Sequence, residues 1–296
     1  MVKNKRDIVT CEYGDILAEN IVDNVGQLLI KESTIIDKNI KMKLMEMGVQ
    51  YIYVYKNQES EKEEKIMKIN DIYEKDRVII KKTFERLSQG KMLETREANE
   101  ISDGLFEKIV NEPFINNYLT DLYERDSYTY IHSLNVGYYC MVLGKYLKFS
   151  HYNMGEIIKA GVLHDIGKIK ISLKLLNKKE KLSKEEFEII KLHPLLGYDI
   201  VKNADSISED VKLAVLMHHE KENGSGYPNG LKGQDIPLYA KICAIADIYD
   251  ALTTNRAYKK KITPTHAFKI LRSMAGDHLN VELLLIFLEN AYRCYF

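Results

Sequence analysis

Tryptophan is absent from the 296 residues, proline occurs five times and cysteine four times. So few prolines leave long stretches free to be helical, since proline removes a backbone donor and clashes inside a helix. The cysteines, Cys11, Cys140, Cys243 and Cys294, lie far apart with no CxxC pair. That spacing argues against a disulfide framework and against a thiolate zinc site, and a reducing cytoplasm is the expected setting. Net charge is missing too: 43 Lys and Arg balance 43 Asp and Glu. No global basic field would therefore hold the chain on a nucleic-acid polymer or on anionic lipid. No stretch approaches about 18 uncharged apolar residues, and the basic residues near Met1 are followed by no apolar h-region. Neither membrane insertion nor export is expected. What is present is 45% apolar residues, enough to fill one large core or two smaller ones.

Residues 6–55 alternate apolar and polar in short runs such as Val49-Gln50-Tyr51-Ile52-Tyr53-Val54, interrupted by one helix at about Asp37 to Met47 with Gly48 as its stop. Residues 1–55 read as a small α+β, β-rich module that supplies no chemistry of its own. From Lys56 to Arg86, 17 of 31 residues are charged, and Ile66, Ile69, Tyr73, Asp76 and Ile80 form an imperfect stripe. Fewer than three clean heptads favour a connector helix, within residues 56–110, over a dimer coiled coil. From Met92 onward the pattern is helical almost without relief, so the fold class is mainly α and 111–296 is the larger domain.

Six of the eight histidines fall between His132 and His219. His164-Asp165 sits inside the apolar run Ala160 to Ile166, with Lys168 one turn on, and His218-His219-Glu220 ends another, Val211 to Met217. A lone histidine in such a place is usually a satisfied core residue. An adjacent carboxylate shifts the balance, because burying it ionised is costly without an ion pair or a metal. Adding His132, His193 and Asp247 makes seven candidate ligands, too many for one tetrahedral zinc, which takes about four. Two cations sharing one carboxylate would use them naturally. With no cysteine in the set, Fe or Mn come first and Zn is the alternative. The loop Glu222 to Gly233 holds four glycines directly after the histidine pair, a weak phosphate-binding signal by itself.

His164-Asp165-Ile166-Gly167-Lys168, His218-His219-Glu220 and Gly226-Tyr227-Pro228 together resemble the HD-GYP family, phosphodiesterases of the HD metallohydrolase superfamily. The likeness runs from about Asp126 to Phe296 and takes in Tyr128 to Ser133, His193 to Gly197 and Asp247 to Thr253. It implies an HD-type helical metallohydrolase domain, preceded by a small α+β domain and a connector helix, that hydrolyses cyclic di-GMP. It also implies that His132, His164, Asp165, His193, His218, His219 and Asp247 are metal ligands, with Asp165 as the bridge. Lys168, Arg256 and Lys259 match positions that meet phosphate or guanine, and Asp250 is grouped with the substrate contacts. Asn223 stands where the family usually has Asp, and Ser172 where it has Pro; neither is a ligand position.

Such a site lets water attack phosphorus without a protein nucleophile, Asp165 and Lys168 being the catalytic pair. Some members that resemble this chain carry Glu at the position of Tyr128 and hold a third ion; a neutral phenol is a poor ligand. Two cations and a linear pGpG product, with GMP formed slowly, are therefore expected, unless Glu220 or Asp250 fills the gap. The alternatives are a non-enzymatic cyclic di-GMP receptor and an HD hydrolase of another nucleotide. A homodimer or a signalling partner, through the N-terminal module or the connector helix, is left open.

Overall fold

The computed structural model describes residues 3–23, 25–55, 58–94, 96–97, 99–100, 128–178, 180–254 and 261–295. By packing, the chain divides into two units, Met1–Lys68 and Ile69–Phe296.

In the first unit, β1 (Lys3–Asp7), β2 (Ile16–Leu17), β3 (Ile21–Val22), β4 (Leu28–Ile30), α1 (Lys38–Glu46) and β5 (Tyr51–Tyr55) follow in order. β5 is the central strand of an antiparallel sheet, β1-β5-β2, and β3 pairs with β4. The two-residue period of β5 puts Ile52 and Val54 inside and Tyr51 and Tyr53 outside. Their core partners are Leu17, Ile36 and Leu44. Asp37 caps α1 by accepting a hydrogen bond from the Ile40 amide, and Gly48, with φ of 74°, turns the chain out of it.

α2 (Gln58–Ser88) runs across the boundary at Lys68. Beyond Tyr73 it belongs to the large core, because Tyr73, Ile80, Phe84 and Leu87 are all buried there. Their spacing of seven, four and three residues marks one helix face. The charged residues around them mask this face in the sequence. Packing begins the second unit at Ile69, within the stretch 56–110 that the sequence marks as a connector.

The rest of that unit is α3 (Tyr128–Tyr146), α4 (His151–Leu163), a 3-10 turn at Ile166–Lys170, α5 (Leu173–Leu176), α6 (Lys184–Ile190), α7 (His193–Val201), α8 (Glu209–Met217), α9 (Leu238–Thr253), α10 (Pro264–Ser273) and α11 (Val281–Tyr295). Ser150, Ser183, Ser208 and Thr263 open four of these helices by accepting from backbone amides three residues on. α3 is the central helix: its buried Leu134, Val136, Tyr138, Tyr139, Cys140, Met141 and Leu143 cover every face. It packs on α4, α9 and α11.

Glycines allow two close approaches that place the site. A β-carbon on Gly161 of α4 would lie 2.6 Å from Gly137 Cα of α3, so the two backbones nearly touch. A β-carbon on Gly167 would lie 2.0 Å from His193 O and 2.5 Å from Gly197 N, which locks the 3-10 turn onto α7. No described helix is long and apolar enough to cross a membrane.

Gly161→Ala is expected to cost roughly 1–3 kcal/mol by wedging α3 from α4, read as a lowered urea midpoint. Gly144→Ala should cost less, because its nearest neighbours, 3.1 Å away, are the flexible ends of Met154 and Phe149. Equal losses in the two variants would contradict this packing.

Candidate metal centre

Helix ends deliver most of the ligand-type side chains. His164 and His218 are the C-terminal caps of α4 and α8, His193 is the first residue of α7, and His132 and Asp247 lie within α3 and α9. A helix terminus leaves carbonyls without intrahelical partners, and three histidines use them. His164 Nδ1 lies 2.7 Å from Gly161 O, His193 Nδ1 2.7 Å from Ile190 O, and His218 Nδ1 3.0 Å from Val215 O. A carbonyl only accepts, so each Nδ1 carries the proton and each Nε2 is left with a lone pair.

Those lone pairs converge on Asp165, which is buried. Its Oδ1 is 3.1 Å from His193 Nε2 and 3.9 Å from His218 Nε2; its Oδ2 is 3.4 Å from both His132 Nε2 and His164 Nε2. The two oxygens thus face two groups of imidazoles. Within ligand-atom reach of one another are Asp165, His193, His218 and His219 on one side, and His132, His164 and Asp165 on the other. Asp247 Oδ1, 3.1 Å from His132 Nε2, joins the second group. All seven residues expected as ligands therefore come together.

The donor set fits divalent cations. His193 Nε2 and His218 Nε2 approach to 3.2 Å with no proton to share. Among the described residues, buried His164 Nε2 and Asp165 Oδ1 have no hydrogen-bond partner. Lone pairs and a carboxylate oxygen packed together without protons are costly unless a cation joins them. Burial holds His218 well below the usual imidazole range and lowers His219 to about 3, so both are neutral and ligand-ready at pH 7. Burial opposes charge on Asp165, but the contacts led by the Lys168 ammonium outweigh it and hold the carboxyl well below its ordinary value; the bond to His132 does the same for Asp247. His132, also opposed by burial, is pushed up to about 10 by bonds to Asp165, Asp247 and Asp250. The ring is drawn towards positive charge from three sides, and a cation beside Nε2 would take the proton's place.

Lys168, on the 3-10 turn, pairs with Asp165 Oδ2 and keeps about a quarter of its side chain exposed. Arg256 and Lys259 lie outside the described residues. Asp250, grouped with the substrate contacts in the sequence, is wholly buried: its Oδ2 lies 2.7 Å from His132 Nδ1, and its Oδ1 accepts from Asn135 Nδ2 and Thr254 Oγ1. It buttresses the His132 ring from behind, the place a carboxylate commonly takes behind metal-bound imidazole. Glu220 is likewise committed elsewhere, since its carboxylate accepts the amides of Asn229, Gly230 and Leu231 at 2.7–3.1 Å. That clamp holds the glycine-rich loop so that Tyr227 lies over His219, ring centroids 4.7 Å apart. Gly226 permits it, as a β-carbon there would be 2.5 Å from Glu220 Cα. The sequence does carry a signal for the buttress: Asn135 and Asp250 stand three residues after His132 and Asp247, each on the ligand's helix face.

A mainly helical bundle with five histidines and two aspartates gathered on one buried carboxylate defines an HD-type metal-binding domain. The chain belongs to the HD domain family, whose sequence profile matches residues 109–283. Its HD-GYP character agrees with the relatives found. A cyclic di-GMP phosphodiesterase of Pseudomonas aeruginosa is 32% identical over 206 residues, 70% of this chain and 50% of that protein. One of Thermotoga maritima is 35% identical over 192 residues, 64% of this chain and 50% of its own length. The chain thus spans about half the length of these curated relatives. The fold is shared with the solved HDG"Y"P protein of Bdellovibrio bacteriovorus, at TM-score 0.61 and 17% identity over 97% of this chain and 99% of that one.

If Asp165 joins two cations, Asp165→Ala should strip both from the purified protein. His164→Ala should lower the content by about one, because only one group loses a nitrogen. Elemental analysis per chain reads the difference, and equal losses in the two variants would count against a shared carboxylate.

Proposed function

We propose that this chain is a cyclic di-GMP phosphodiesterase that lowers the second messenger in the bacterial cytoplasm, opening the ring once to linear pGpG and forming GMP more slowly. Two divalent cations, Fe or Mn before Zn, would be held by His193, His218, His219 and Asp165 on one side and by His132, His164, Asp165 and Asp247 on the other. The observation that carries the reading is the division of Asp165, each oxygen turned to its own imidazole group. Bound there, the cations would supply an acidified water as nucleophile and charge to neutralise a phosphate oxygen.

The protein's own groups do the rest. The carbonyls of Gly161, Ile190 and Val215 hold three imidazoles in the tautomer that presents Nε2. The Lys168 ammonium, half way out of the centre, is placed to add charge where a non-bridging phosphate oxygen becomes more negative. Glu220 fixes the loop that sets the Tyr227 ring over His219 and so walls one side of the site. Lys168, Arg256 and Lys259 are assigned to phosphate and guanine.

The single ring opening rests on Tyr128, the first residue of α3 and one turn before His132. Its side chain lies outside the described residues, and its phenol is a poor third anchor for a cation. Glu220 and Asp250, the carboxylates offered in its place by the sequence, are both taken up by internal hydrogen bonds.

Reconstituted protein should convert cyclic di-GMP to pGpG, followed by chromatography, with GMP appearing only after pGpG accumulates. Lys168→Ala should keep its metal while kcat falls on the order of 10²-fold. Three tight cations per chain, or GMP rising as fast as cyclic di-GMP falls, would refute the product assignment. Turnover of GTP or guanosine tetraphosphate in place of the cyclic dinucleotide would favour the HD hydrolase of another nucleotide.

A further inference from the structure

A line of buried hydrogen bonds leads from α2 to the candidate centre. Tyr73, on α2 and 3% exposed, lies with its hydroxyl 3.1 Å from Asn135 Oδ1 on α3. Asn135 Nδ2 lies 2.8 Å from Asp250 Oδ1 on α9, and Asp250 Oδ2 lies 2.7 Å from His132 Nδ1 on α3. His132 Nε2 faces Asp165 and Asp247.

The chemistry of the partners settles the direction of every bond. An ionised carboxylate only accepts, so Asp250 requires a donor from both His132 and Asn135. The Asn135 amide must therefore turn its NH₂ group to Asp250 and its oxygen to Tyr73. Facing that oxygen, the phenol has to donate. Asp250 holds the proton on His132 Nδ1, so that Nε2 is the atom turned to Asp165 and Asp247 and the one whose proton a cation would displace. Remove the phenol's donor and the reason for this amide orientation weakens: a buried carbonyl oxygen loses a partner, and a flipped amide would turn its oxygen onto the carboxylate.

We propose that Tyr73 is a positioning residue for the metal centre, acting through Asn135 and Asp250 on His132. Neither the ligand motifs nor the glycine-rich loop contains it, and it stands 59 residues before His132 on a helix otherwise read as a connector. The setting of α2 against α3 thereby becomes one determinant of how tightly the His132 side of the centre holds a cation. The inference rests on the reading that the cluster binds metal, and does not depend on which phosphodiester is hydrolysed.

The test uses the full chain stripped of metal and titrated with Mn²⁺ against a chelating indicator, so that affinity is read apart from turnover. Tyr73→Phe keeps the ring and its packing and deletes the donor. It should weaken the His132-side cation by roughly three- to tenfold, no more than Asn135→Ala, which is one bond nearer, and less than the 10–100-fold typical of a partner directly behind a ligand, the place Asp250 holds. In the double variant Tyr73→Phe should add nothing to Asn135→Ala, since the one acts through the other. Phe84→Leu provides the structural control: it loosens α2 at its edge-on contact with Tyr130, ring centroids 5.7 Å apart, without touching the relay. It should lower the melting temperature and leave Mn²⁺ affinity within twofold. Unchanged affinity in Tyr73→Phe, additive losses in the double variant, or an equal loss in Phe84→Leu would overturn the relay. A wild-type chain that takes up no Mn²⁺ would refute the metal centre beneath it, a distinct failure visible before any variant is compared.

Discussion

Electrostatic repulsion at Asp165 is the constraint on which the large unit is organised. Imidazole Nε2 atoms from α3, α4, α7 and α8 are turned towards one buried carboxylate, and His193 and His218 bring theirs within 3.2 Å. Hydrophobic packing alone would not assemble such a group, because His164, His193 and His218 give up hydration and have no proton at Nε2 to share. The arrangement is held from behind: three Nδ1 atoms are fastened to helix-end carbonyls, and the fourth ring, His132, to Asp250. What faces inward is then a set of donors complementary to cations and to little else.

Backbone contact makes that convergence geometrically attainable. Side-chain volume between α3 and α4 would move His132 away from His164, and Gly137 opposite Gly161 removes it. The same device recurs where Gly167 meets His193 O and Gly197 N, so that Asp165, just before the turn, and Lys168, on it, are set against α7 to within what a β-carbon would occupy. Glycine at these positions serves proximity, since neither has a positive φ. Tight interiors transmit such displacements instead of absorbing them.

The buried polar residues outside the ligand set follow a common logic. Asp250 serves His132, Asn135 serves Asp250, and Glu220 serves a loop whose amides would otherwise be unpaired. Each satisfies a donor or an acceptor that the fold has taken out of water, and each thereby fixes an orientation that the centre uses. The same economy brings α2 into the large core, since Tyr73 presents a hydroxyl to this network from a face that is otherwise apolar.

The sequence by itself determined the mainly α class, the β-rich start with its one helix, and the seven ligand-type residues, because these rest on local signals. Strand alternation, helix caps, and histidines and aspartates inside apolar runs can be read within a few residues of one another. Tertiary structure alone decided what each polar residue is for. Asp165 and Asp250 are both buried aspartates on apolar helical stretches, yet one turns both oxygens to imidazole lone pairs and the other serves as a buttress. The partners that separate them, Asn135 and His132 for Asp250 and Tyr73 for Asn135, lie 115, 118 and 62 residues away. Local spacing carries no information about such contacts. They exist only once the glycine pairs have closed the helices on each other and placed the side chains within hydrogen-bonding reach.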